Sequence, residues 1–146
     1  MITIVALKIN QRLSAALTLV AAVEARDSYT AEHSNQVVDL AAEVAENLGH
    51  SEDEVHELRL VAALHDIGKI ATPDSILRKE GPLSTREWEV MRQHPVEGEK
   101  LISQSPGVEH LAPMIRAEHE RWDGSGYELR RGKGRDQVLP RHAIRS

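Results

Sequence analysis

The sequence predicts an all-α fold built as one domain. Apolar residues recur at helical spacing along most of the chain. Helix-capping residues stand at the starts of those runs, and Gly or Pro at their ends. No two alternating runs are joined by a hairpin turn, and no segment repeats.

Leu13 to Arg26 is rich in Ala and Leu, without Gly or Pro, and reads as the first helix. Asp27, Ser28 and Tyr29 break it, and Thr30 is a good N-cap for the next. That helix carries Val37, Val38, Leu40, Ala41, Val44, Ala45 and Leu48, and Gly49 ends it. Ser51 to Glu54 fits a capping box, followed by Val55, Leu58, Val61, Ala62 and Leu64 on one face. Pro73, Gly81 and Pro82 predict a loop from Ala71 to Leu83. Ser84 to Glu87 is a second capping box, opening a helix through Trp88, Val90 and Met91. Pro95 must kink or divide that helix, Leu101 and Ile102 finish it, and Pro106 and Gly107 break it. A further helix from Val108 to Arg121 leads into a tight loop, Asp123, Gly124, Ser125, Gly126 and Tyr127. Beyond Glu128, Arg130, Arg131, Lys133 and Arg135 sit with Gly132 and Gly134, and apolar periodicity stops. The domain is therefore expected over 13–128, after a linker-like segment at 1–12 and before a polar tail at 129–146.

With 146 residues, 40% apolar, the chain has material for one core. It has no Phe, two Trp and two Tyr, so that core must come from Leu, Val, Ile and Ala. A formal net charge of -5 argues against a general nucleic-acid binder but allows a local positive pocket for a phosphate. The basic run from Arg130 to Arg135 reads as a solvated loop. The absence of Cys excludes disulfides, thiolate metal sites and a cysteine nucleophile, and fits a cytoplasmic location. Met1 to Leu7 is too short for a leader and Leu13 to Val23 too short and polar to span a bilayer, so no membrane role is expected. The first helix, through Leu13, Leu17 and Val20, serves either as a dimer seam or as a helix packed on the domain.

Eight His are the oddity of the composition, because imidazole is both a common metal ligand and an acid-base group. His65 and Asp66 stand together at the end of an apolar helix, a suitable ligand pair for a divalent ion. Lys69, one turn later, shares the face of Asp66 and is placed to neutralise a phosphate. Taken alone, the pair is equally well a core His with an Asp C-cap. But His33, His94 and His119 also fall at helix ends or breaks, a pattern expected of one convergent site. His50, His56, His110 and His142 stand in polar contexts and read as surface residues.

The segments AlaArgAspSerTyrThrAlaGluHis (25–33), HisAspIleGlyLys (65–69), HisPro (94–95) and HisGluArgTrpAspGlySerGlyTyr (119–127) resemble, in order and spacing, the HD-GYP family of metal-dependent phosphohydrolases. The resemblance covers Leu13 to Tyr127 and implies an HD-domain helical bundle. It implies that His33, His65 and Asp66 bind one metal ion, and that Asp66 bridges to a second held by His94, Glu118 and His119. A water activated by both ions would attack phosphorus. Lys69 would hold a phosphate oxygen. Asp123, Gly124, Gly126 and Tyr127 would shape the substrate pocket. The implied substrate is cyclic di-GMP, opened to a linear dinucleotide or cut to GMP, and the implied cofactors are two divalent ions, iron or manganese.

The chain departs from that pattern in four places. Glu118 stands where the family has a His, which alters the second metal site or leaves Glu118 as an ordinary surface residue. Glu128 replaces the Pro of the GlyTyrPro signature and loosens the loop. Tyr29 replaces the Glu of three-metal members, so two ions at most are expected. The family continues into a further helix with another Asp ligand, absent before Ser146, so the bundle is expected to be C-terminally incomplete with apolar faces exposed. These departures leave two rival readings: an HD phosphohydrolase acting on another nucleotide or phosphate ester, and a degenerate, non-catalytic binding module. Partners expected are the substrate, a second copy of the chain, or a signalling domain.

Overall fold

The computed structural model describes residues 17–27 and 31–120, the side chains of 31–33 excepted. All regular structure among the described residues is helical: α1 (17–24), α2 (Ala31–Asn47), α3 (Glu52–Leu64), α4 (Asp74–Leu77), α5 (Thr85–Met91), α6 (His94–Ser103) and α7 (Ala112–Ala117). Short 3-10 turns at Ile67–Ala71 and Glu109–Leu111 connect them. No helix among the described residues is long and apolar enough to cross a membrane.

Local chemistry sets the helix ends. Gly49 closes α2 at φ 79°, and its N–H reaches the Glu46 carbonyl at 3.0 Å. Both capping boxes form. The Ser51 N–H donates to Glu54 Oε2 at 2.8 Å and the Glu54 N–H to Ser51 Oγ at 3.4 Å. Ser84 and Glu87 repeat this at 2.7 and 3.4 Å. Each cap contributes about 1 kcal/mol.

Two expectations change. The loop from Ala71 to Leu83 contains α4, a single turn that starts after Pro73 and is anchored by buried Leu77. The helix expected from Val108 to Arg121 is a 3-10 turn followed by α7, because Pro113 lacks the N–H a continuous helix would need. On α2 the face packed against α3 is lined by small residues. Leu40, Val44 and Leu48 are 62%, 49% and 70% exposed, whereas Ala42 and Ala45 pack on Val55 and Leu58 of α3. Small side chains on that face let the two helices approach closely.

The main core joins Val61 and Leu64 of α3, Ile67 of the first 3-10 turn, Ile102 of α6, and Val108, Leu111, Ala112 and Ile115 around α7. Buried Leu64 and Ile67 bracket His65 and Asp66 in sequence, so the core holds that pair from both sides. Pro95 divides the predicted helix into α5 and α6 and sits in the first turn of α6, where its missing N–H costs nothing. His94 thereby becomes the first residue of α6.

The 3-10 turn meets α6 backbone to backbone. A Cβ on Gly68 would lie 1.8 Å from the His94 carbonyl oxygen and 2.5 Å from the Gly98 nitrogen. Only a glycine fits there. Gly68→Ala must push the turn off α6 and is expected to cost about 3 kcal/mol, read as a lower midpoint of urea unfolding; an unchanged midpoint would contradict this packing.

Candidate metal centre

Three helix ends converge on Asp66. His65 is the C-cap of α3 and Asp66 follows it at φ -96°, ψ 4°. That bridge conformation is sparsely populated and common among functional residues. His94 arrives from the start of α6, and His119 from the turn after α7.

The ring orientations are fixed from behind. His65 Nδ1 lies 2.6 Å from the Ala62 carbonyl, and His94 Nδ1 lies 2.8 Å from the Met91 carbonyl. A carbonyl only accepts, so each Nδ1 carries the proton and donates it. In the neutral ring, Nε2 then presents a lone pair. Metal-binding histidines are commonly oriented in this way, by a carbonyl or carboxylate behind the ring.

The Nε2 atoms face further acceptors. His65 Nε2 is 3.1 Å from Asp66 Oδ2, and His94 Nε2 is 3.4 Å from Asp66 Oδ1. His119 Nε2 lies 2.8 Å from His94 Nε2, 3.2 Å from Glu118 Oε2 and 3.9 Å from Asp66 Oδ1. Asp66 Oδ1 is buried and has no hydrogen-bond partner among the described residues. Inward-facing lone pairs and an orphaned carboxylate oxygen repel one another unless a cation or a proton lies between them. Asp66, His94 and His119 bring ligand atoms within 4.8 Å of one another, a donor set that suits a divalent transition metal.

Proton affinities reflect the same geometry. Burial works against the His65 imidazolium, but the Asp66 carboxylate outweighs it and raises the group to about 9. Burial pushes His94 down to about 4, so its ring is neutral at neutral pH. Asp66 is held well below the usual carboxylate range: burial opposes its charge, but His119, His65 and Lys69 more than compensate.

Of the residues singled out in the sequence, the structure brings together His65, Asp66, Lys69, His94, Glu118 and His119. His33 lies on the first turn of α2, but its side chain is outside the described residues, as are Asp123, Gly124, Gly126 and Tyr127. Lys69 makes contacts its motif does not announce: its Nζ is 2.8 Å from Asp66 Oδ2 and 2.9 Å from Asp27 Oδ2. Beside it, Arg26 binds Asp74 Oδ1 at 2.7 Å and the carbonyls of Ile70 and Thr72 at 3.1 and 3.2 Å. In the sequence Arg26 ends the first helix and Asp27 begins the break after it, both within the segment 25–33 that carries the family resemblance but with no role assigned to either. No local pattern gives their partners, which lie about 40 or more positions away.

A family model described as "HD domain" matches residues 30–144. Over 106 residues the chain is 45% identical to a cyclic di-GMP phosphodiesterase of Thermotoga maritima, covering 71% of this chain and 29% of the relative. It is 40% identical over 136 residues to the cyclic di-GMP phosphodiesterase response regulator RpfG of Xanthomonas campestris, covering 84% and 36%. It is also 40% identical over 111 residues to the 3'3'-cGAMP-specific phosphodiesterase 2 of Vibrio cholerae, covering 75% and 21%. The chain thus spans about a third or less of the length of these relatives.

In the metal-free protein the His65 proton, held up to about pH 9, occupies the lone pair a metal needs. Metal binding must expel it. Manganese affinity is therefore expected to rise with pH until about 9, and calorimetry at neutral pH in two buffers of different ionisation enthalpy should count about one released proton. Binding with no proton release would contradict the assignment of His65 Nε2.

Proposed function

Because the chain belongs to the HD domain family, we propose that it hydrolyses a cyclic dinucleotide, cyclic di-GMP in the first place, to the linear dinucleotide or GMP in a metal-dependent reaction. The observation that carries this reading is the pair of histidines, His65 and His94, whose Nδ1 protons are committed to backbone carbonyls and whose Nε2 atoms face the Asp66 carboxylate. Relatives named as cyclic di-GMP phosphodiesterases support membership of the HD-GYP branch and the choice of substrate.

In this reading His33, His65 and Asp66 hold one ion, and Asp66, His94, Glu118 and His119 a second. Iron or manganese suits these nitrogen and carboxylate donors. Bound there, divalent ions supply Lewis-acid charge to the phosphate and activate water. The chain's own groups do the rest. Backbone carbonyls of Ala62 and Met91 hold the imidazoles in the tautomer that leaves Nε2 bare. Burial around His94 keeps it neutral. Lys69 brings a positive charge beside Asp66, where it offsets the negative charge that grows on a phosphate during attack. Asp123, Gly124, Gly126 and Tyr127 contribute to the substrate pocket, the glycines letting backbone approach the ligand. The setting is a cytoplasmic signalling protein.

A second reading rests on a specific comparison. The 40% identity to a protein named as specific for 3'3'-cGAMP makes the mixed cyclic dinucleotide a competing substrate. Assaying both with manganese or ferrous iron ranks them.

Asp66→Ala is expected to abolish both metal binding and turnover, because this carboxylate faces His65, His94 and His119; retained turnover would refute the site. Lys69→Ala is expected to keep the metal and lose roughly a hundredfold in kcat, and loss of metal instead would mean that its role is misassigned.

A further inference from the structure

Lys69 Nζ lies between two carboxylates from different parts of the chain. Asp66 Oδ2 is at 2.8 Å and Asp27 Oδ2 at 2.9 Å. All three groups are largely enclosed: the side chains of Lys69, Asp27 and Asp66 are 14%, 9% and 29% exposed. The Asp66 oxygen that binds the ammonium is also the one that His65 Nε2 faces at 3.1 Å. An ion held by His65 and Asp66 would therefore draw on the same carboxylate that Lys69 binds, and would set a second positive charge near the ammonium, where water screens little.

We propose that Asp27 is the counter-ion that lets Lys69 and the metal occupy this site together. With Asp27 in place, the ammonium keeps a carboxylate partner when Asp66 turns to the metal. It stays charged, buried and beside the site. Without Asp27, the ammonium loses one of the two carboxylates it binds, and metal binding at Asp66 works against the other. Asp27 is thus a positioning residue that acts through Lys69. The end of α1 is built to deliver it. Arg26, the preceding residue, ties this end to the far side of the same turn through Asp74 and the Ile70 and Thr72 carbonyls. Adjacent residues of opposite charge thereby grip both ends of the segment that carries Lys69. A buried ion pair is weak evidence of a stabilising role, since desolvation offsets most of its attraction. A pair that also balances charge at a cation site has a further use.

This inference rests on the proposed metal site, and one set of titrations separates the two. Manganese binding to the metal-free chain is measured for wild type, Asp27→Asn, Lys69→Met and the double variant, each checked for folding by circular dichroism and thermal melting. Asp27→Asn is expected to weaken manganese binding roughly tenfold or more, and the same substitution in the Lys69→Met background to change it little. Asp27→Glu, which keeps the carboxylate, is expected to retain most of the wild-type affinity. An equal loss in both backgrounds would mean that Asp27 acts on the metal directly and would overturn the proposal. So would a lower melting temperature with unchanged affinity, the signature of a structural staple, or a loss in Asp27→Glu as large as in Asp27→Asn. Wild type that binds no manganese would overturn the metal site itself, and this inference with it.

Discussion

The carboxylate of Asp66 is enclosed by imidazole nitrogens from three helix ends and by the ammonium of Lys69. A carboxylate in such a position is tolerable only when positive charge or donated protons surround it, since ionised groups lose far more hydration on burial than neutral ones. The surrounding fold can be understood as the means of supplying that charge at fixed positions. Leu64 and Ile67 sink into the core on either side of His65 and Asp66, so the pair cannot rotate away from the convergence point. The carbonyls of Ala62 and Met91 then accept the Nδ1 protons of His65 and His94. What remains facing the carboxylate is a set of Nε2 atoms, an arrangement for a cation once the His65 proton is expelled.

Holding several helix ends on one carboxylate demands close backbone approach. The chain achieves this with small residues placed at the crossings. Gly68 lies against the first turn of α6, and Gly98 packs on Ile67 and Ile115. Ala42 and Ala45 do the equivalent work where α2 meets α3. The core itself uses Leu, Ile and Val without a Phe, so its shape is set by many small contacts instead of a few large rings. Such packing transmits displacement directly, because close-packed interiors have little room to absorb it. The position of the metal-facing groups is therefore tied to glycines and alanines that touch none of the chemistry.

By itself the sequence determined the helical class, both capping boxes, the Gly49 stop, the division at Pro95 and the motif residues that meet at Asp66. These are legible because each depends on residues within about one helical turn, or on a recognisable run such as HisAspIleGlyLys. Tertiary structure alone decided which face of α2 is packed, why position 68 must be glycine, and that Asp27 and Arg26 belong to the site. It also decided the ring orientations of His65 and His94, and that His94 Nε2 and His119 Nε2 lie 2.8 Å apart although 25 positions separate them. The physical reason is one of range. Capping and periodicity act along a single helix, whereas burial, charge pairing and the sharing of an oxygen depend on which distant surfaces meet. Nothing in the local pattern of either partner encodes that meeting.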